Sequence, residues 1–113
     1  MDFSQYNKES SRVLLYPKLL GGVDISPMYL GMGVCGEAGE TVEKIKKVYR
    51  DSKGVFDNQA VLEIKKEIGD VLWYLNRLSE ELGFTLESAA ELNILKLQDR
   101  IEREKLKGEG DNR

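Results

Sequence analysis

Two pairs of carboxylates are the part of this 113-residue chain best suited to chemistry. Glu37 and Glu40 lie in GMGVCGEAGETVEKIKK, among glycines and ahead of a lysine-rich turn, and Glu67 and Asp70 lie in EIGDVLWYL. Spacing of three puts both members of a pair on one side of an α-helix, and the pairs fall on two different predicted helices. If those helices pack, the four acids converge at the rim of their interface. An all-oxygen cluster of that kind suits Mg²⁺ or Mn²⁺, hard cations that keep several waters. The ordinary fate of one Glu-x-x-Glu is a solvated helix face. Against it stand the position of both pairs beside an apolar stripe rather than opposite it, and the cost of like charges three apart, ~0.2–0.5 kcal/mol per pair.

Composition narrows the chemistry further. The chain has no histidine, which excludes imidazole bases, Ser-His-Asp triads, His-bearing zinc sites and the Glu-x-x-His motifs of di-iron bundles. The single Cys35 forms no intramolecular disulfide and fits a reducing compartment. A net charge of −3 gives no footprint for nucleic acid or an anionic membrane. No apolar run approaches the ~18 residues of a membrane span, and MDFSQYNKESS is too polar for a signal peptide. One cytoplasmic domain is expected, with carboxylates, lysines and a metal ion carrying any reaction.

Four helices must position these groups. The first is expected over Phe3 to Leu15, ended by Pro17, and Lys18 to Ile25 reads as a loop around Gly21-Gly22. Ser26-Pro27 reads as N-cap and first helical residue of helix two, which runs to about Arg50. Its apolar stripe is Val34, Ala38, Thr41, Val42, Ile45, Val48 and Tyr49, with Glu37, Glu40 and Lys44 on one flank. Helix three is expected from Gln59 to Leu82, capped by Asp57 or Asn58, with a stripe of Val61, Ile64, Ile68, Val71, Leu72, Leu75, Leu78 and Leu82. Glu67 sits on the edge of that stripe, with Asp70 and Tyr74 further round. Gly83 ends helix three and Thr85 caps helix four at once, which predicts antiparallel packing of the two. Helix four, Leu86 to Glu102, carries Leu86, Ala90, Leu97 and Ile101 inward and Leu92 and Leu95 outward. The outward leucines, with Gly36 and Gly39 opposite the stripe of helix two, suit a contact between copies. No strand signal of weight is present.

The stretches GEAGETVEKIKK, KKEIGDVLWYLNRLSEELG and ELNILKL resemble the all-α nucleoside triphosphate pyrophosphohydrolases of the MazG type. That family's pattern is Glu-x-x-Glu, a spacer, then Glu-x-x-Asp, and it falls on Glu37, Glu40, Glu67 and Asp70. The resemblance runs from about Tyr6 to Lys96. It implies a four-helix bundle, a dimer or tetramer, Mg²⁺ held by the four acids as metal and catalytic residues, and hydrolysis of an NTP or dNTP to its monophosphate and pyrophosphate. Nucleotide-pool housecleaning is the role it implies. The family's Asn-x-x-Lys on helix four, matched by Asn93 and Lys96, marks these for phosphate or metal-shell contact. Arg100 extends the same polar ridge. Lys44 shares the acidic flank of helix two, with an i,i+4 ion pair to Glu40 as its simpler role. Tyr74, one turn beyond Asp70, is placed for base or sugar, whereas Trp73 and Cys35 read as packing residues. A non-enzymatic helical interaction module and a related phosphohydrolase with different bond choice are the competing readings. The domain is taken as residues 1–104. The tail, 105–113, is a disordered end by composition, whereas its resemblance to other MazG-like chain ends makes it a flap over the site.

Overall fold

The computed structural model describes residues 1–13 and 16–104, so the expectations for the tail lie outside the described residues. Four helices dominate: α1 (Phe3–Ser10), α2 (Ser26–Ser52), α3 (Asn58–Glu81) and α4 (Leu86–Glu104). Between α1 and α2 two short strands, β1 (Leu19–Leu20) and β2 (Val23–Asp24), pair antiparallel across Gly21-Gly22. Both glycines have positive φ, 59° and 80°, the backbone that a two-residue hairpin turn requires. The expected loop is therefore a small hairpin, too short for alternation to reveal it.

The centre of the fold is the pair α2–α3. Leu30, Val34, Glu37, Thr41, Lys44 and Val48 on α2 are buried or half-buried, and so are Ala60, Ile64, Glu67, Val71, Tyr74, Leu78 and Glu81 on α3. Steps of four and three alternate throughout both sets. That is a 3.5-residue period, the signature of two helices wound around each other with left-handed twist. The stripes drawn from the sequence coincide with this seam in part: Val34, Thr41 and Val48 on α2 and Ile64, Val71 and Leu78 on α3 lie on it, whereas Ala38, Val42 and Tyr49 on α2, and Val61, Ile68, Leu75 and Leu82 on α3, are exposed. Among the described residues the buried hydrophobics are only Tyr16, Leu30 and Val48.

Helix ends follow local chemistry. Asp57 caps α3 by accepting from the Ala60 N–H at 2.8 Å. At the other end Gly83 has φ 85°, its N–H donates to Glu80 O, and Phe84 N–H donates to Ser79 O, a Schellman closure. Thr85 Oγ1 then accepts from Ser88 N–H at 3.1 Å. The start of α2 differs from expectation. Ser26 is already helical, and the side chain that caps it is Asp24, whose Oδ1 accepts from the Ser26 N–H at 2.9 Å and from its hydroxyl at 2.6 Å. α1 closes at Ser10, well before Pro17, because Ser10 and Ser11 turn their hydroxyls back onto Asn7 O and Lys8 O.

α1 is held on the outside of α3 by polar groups. Asn76, 1% exposed, donates to Asn7 Oδ1 and Ser10 Oγ, Arg77 donates to Asn7 Oδ1, and Trp73 Nε1 donates to Ser10 O. A second network ties the segment before α2 to the end of α3. Glu81 accepts from the Tyr16 hydroxyl and pairs with Lys18 Nζ at 3.0 Å, with the Ser26 hydroxyl 3.3 Å away. These donors hold its carboxyl below the usual glutamate range, the Tyr16 bond most of all and Lys18 next. α4 is different. It packs lightly against α1 and α3, less closely than the expected antiparallel packing on α3, and none of its described residues is buried.

Glu81→Ala removes the hydrogen bond from Tyr16, a bond to a charged group of the kind that contributes ~1.5–3 kcal/mol, together with a weak pair to the exposed Lys18, and should destabilise the protein by about 2–3 kcal/mol. Because the folded-state pKa is depressed, this contribution is present above the ordinary glutamate range and lost as pH falls through the folded value. Urea unfolding at neutral and acid pH, at one protein concentration, should show the gap between variant and parent closing in acid.

Candidate metal centre

The two helices run antiparallel, so a side chain just before a seam position on α2 and one just before a seam position on α3 turn to the same side of the pair. Glu40 precedes Thr41 and Asp70 precedes Val71, which puts both on that side, next to seam residues Glu37 and Glu67. The result is a three-carboxylate cluster: one oxygen each from Glu37, Glu67 and Asp70 lie within 4.8 Å of one another. Glu37 and Glu67 are half-buried and Asp70 is exposed. Glu40 is exposed and stands outside this cluster, near enough to add to the repulsion on Glu37.

Charge at the cluster is only partly compensated. The Glu37 carboxyl is pushed up by burial first, then by Asp70, Glu67 and Glu40. The positive group at hand is Lys44, whose Nζ is 3.9 Å from Glu67 Oε1. Its ion pair thus crosses to α3, where the sequence favoured Glu40 on its own helix. A full turn separates Lys44 from Glu40, but Lys44 occupies a seam position and points at the facing helix. Three hard oxygen donors, half sunk in a helix interface and short of counter-charge, fit a divalent cation such as Mg²⁺ or Mn²⁺.

The groups beside the acids are sorted along the helix pair. Toward the α2–α3 turn, Lys44 and Lys47 line a hollow together with Asp51, Asp57 and Glu63. Lys47 was not singled out in the sequence; its place one residue before seam position Val48 is the signal that could have found it. Toward the other end, Tyr74 lies flat on α2 at Gly33, where a Cβ would come within 2.1 Å of Tyr74 Cε1. Gly33 and Tyr74 are each one turn from Glu37 and Asp70, and the Tyr74 hydroxyl is pushed up by burial, then by Tyr29, Glu37 and Asp70. Trp73 packs edge-on to Tyr74 at 5.1 Å and to Tyr16 at 6.2 Å, and Tyr16 stacks on Tyr29 at 6.4 Å. Tyr29 and Tyr16 are the aromatic members that sequence spacing missed, since they lie outside the acidic motifs.

Among the described residues, those of helix four lie at a different hollow. Asn93 and Lys96 line a separate hollow with Phe84, Ser88, Ala89 and Leu92, and Arg100 lies half-buried further along α4.

The model of the MazG nucleotide pyrophosphohydrolase domain matches residues 26–103, a span that takes in all four acids. The chain belongs to that family. Among curated proteins, the Gene 37 protein of Mycobacterium phage L5 is 41% identical over 85 residues, 75% of each chain. No solved structure shows a significant match. No helix among the described residues is long and apolar enough to cross a membrane. The MazG domain thus spans the acidic seam, the Lys44–Lys47 hollow and α4, and leaves α1 and the β-hairpin outside the matched region.

Two predictions concern this site without metal. Glu37 has a raised pKa, so its ionisation opposes folding, and the metal-free protein should lose stability as pH climbs from the ordinary glutamate range through the raised value. Glu37→Gln should then unfold at higher temperature than the parent at pH 7 and at a similar temperature at pH 4, with millimolar Mg²⁺ stabilising only the parent. The second uses two glycines of α2. Gly33→Ala should cost about 1–3 kcal/mol through the clash with Tyr74, whereas Gly36→Ala, with nothing within 4 Å, should gain up to ~1 kcal/mol. Denaturant midpoints that move the same way in both variants would refute the Tyr74 contact.

Proposed function

We propose that the protein is a Mg²⁺-dependent nucleoside triphosphate pyrophosphohydrolase that converts an NTP or dNTP and water to the monophosphate and pyrophosphate, serving nucleotide-pool housecleaning. The observation that carries this is the linear order along one side of α2–α3: lysines, then carboxylates, then tyrosines. A nucleoside triphosphate has the same order of needs, with terminal phosphates at one end, a reacting α-phosphorus, and sugar and base at the other.

A divalent cation held by Glu37, Glu67 and Asp70 would supply charge neutralisation at the phosphates and lower the pKa of water. Lys44 and Lys47 meet the β- and γ-phosphates and stabilise the pyrophosphate as it departs. Glu40, exposed and outside the trio, takes the proton from the attacking water. Water oxygen bonds to the α-phosphorus while the bond to the α–β bridging oxygen breaks, and the electron pair leaves with pyrophosphate. Tyr74, fixed by its seat on Gly33, and Tyr29 beside it border the sugar. Asn93, Lys96 and Arg100 act on the phosphates only if α4 of another copy reaches the site.

Product analysis over a panel of NTPs and dNTPs tests this. Pyrophosphate and monophosphate are the expected first products, lost with any one of Glu37→Gln, Glu67→Gln or Asp70→Asn. Lys44→Ala and Lys47→Ala should each raise KM about tenfold or more. Orthophosphate with a nucleoside diphosphate would favour the related phosphohydrolase, and no metal-dependent turnover at all would favour the interaction module.

A further inference from the structure

We propose that α1 is a positioning element for the nucleoside end of the site, acting through Trp73 on Tyr74. Four aromatic rings form a closed circuit there. Trp73 meets Tyr74 edge-on at 5.1 Å and Tyr16 edge-on at 6.2 Å, and Tyr16 stacks on Tyr29 at 6.4 Å. Tyr29 closes the circuit, being, after burial, the largest influence on the Tyr74 hydroxyl. Gly33 leaves room for the Tyr74 ring on one side, and the indole of Trp73 bounds it on another. Edge-on pairs depend on ring angle, so the angle of Trp73 sets that of Tyr74. One polar atom fixes the indole: Nε1 donates to the Ser10 carbonyl oxygen of α1 at 3.3 Å.

α1 has eight residues, too few for a stable helix alone in water. Its place on α3 is set by Asn7 and Ser10. Asn7 Oδ1 accepts from Asn76 Nδ2 and from Arg77 Nη1, each at 3.1 Å, and Ser10 Oγ accepts from Asn76 Nδ2 at 2.9 Å. Asn76 is 1% and Arg77 7% exposed, so without Asn7 two buried donors lose their acceptor. On α1, Asn7 is one turn from Ser10, and on α3, Asn76 is one turn from Trp73. The amide contacts therefore hold the Ser10 carbonyl in register with the indole. α1 also enters the field of the carboxylates, since the Tyr6 hydroxyl is pushed up by burial first and by Asp70 second. The region matched by the family begins at residue 26, so Asn7, Ser10 and Tyr16 all lie outside it. The bearing of α1 on the nucleoside rests on the reaction proposed above, in which Tyr74 borders the sugar.

Trp73 is the single tryptophan, so its emission reports this contact in the intact chain. Asn7→Ala should shift that emission to the red and make it easier to quench with acrylamide. The same variant should raise KM for the triphosphate about fivefold or more with kcat within about twofold, whereas a merely structural loss lowers kcat through the active fraction. Inhibition by pyrophosphate, which has no nucleoside, should be unchanged. Asn7→Asp keeps an acceptor for Asn76 and Arg77 and should restore both KM and emission. If Asn7→Ala fails to fold, Trp73→Phe replaces it, since it keeps an aromatic edge on Tyr74, loses only the bond to Ser10 and should raise KM in the same way. Parental KM in the variant, an unshifted Trp73 emission, or a fall in kcat at constant KM would each overturn the role of α1 and leave the reaction standing. A parent that turns over no triphosphate would overturn the reaction, and with it the role of α1 toward the nucleoside.

Discussion

Repulsion among carboxylates inside a helix–helix seam is the constraint on which the rest of this structure depends. Seam positions in a wound helix pair normally hold apolar side chains, because their burial is what keeps the helices together. Here Glu37 and Glu67 occupy two of them, half-buried, with the Asp70 carboxylate in reach of both. Lys44, also on the seam, answers only part of that charge and does so at 3.9 Å. The centre of α2–α3 therefore opposes its own closure, a repulsion that a cation held by the three carboxylates would relieve. That is how a binding site holds affinity in reserve: what the free protein lacks, the ligand provides.

A seam that repels at its middle must be aligned from its ends. At the turn, Lys53 in the left-handed conformation and Gly54 reverse the chain, with Tyr49 stacked edge-on to Phe56 across them. At the far end Glu81 gathers Tyr16, Lys18 and Ser26, tying the entry of α2 to the exit of α3. Next to it, Asn76 and Arg77 anchor α1. These clamps are polar, directional contacts rather than bulk burial, which suits a domain with so few buried hydrophobics. Directional contacts fix register, and register decides whether Glu37 meets Asp70 or slides past it. Gly33 serves the same end, since the flat seat it gives Tyr74 allows one relative position of the two helices.

Much of this was legible in the sequence wherever the determinant was local. Asp57, Gly83 and Thr85 act through hydrogen bonds to residues two to four away, and the helix ends they mark fall where expected. The acidic spacing was legible for the same reason, and three of its four members meet. What failed was the breadth of the stripes, which took in residues beyond the seam. Periodicity sums every apolar residue on a helix, and α2 and α3 each carry two apolar faces. Val42, Tyr49, Val61 and Ile68 widened the stripes toward the unpartnered face, while Glu37, Lys44 and Glu67, charged residues at seam positions, were left on their flanks. Asp24 was missed as the cap of α2 because Ser26-Pro27 satisfied the local rule equally well. The reach of α4 could not be read at all. A tight turn fixes where a helix starts and leaves open what it packs against.

The broad stripes carry a physical lesson about the helix pair. One apolar stripe on each helix joins the pair, and the second line of seven-residue spacing lies outside that seam. On α2 and α3 the second lines begin and end together, lie on one side, and keep their angle only because the first seam winds the helices at the same period. The acidic seam and the exposed face are thus coupled through one geometric quantity, the supercoil of α2–α3. A cation held by the three carboxylates would close the seam and fix that supercoil.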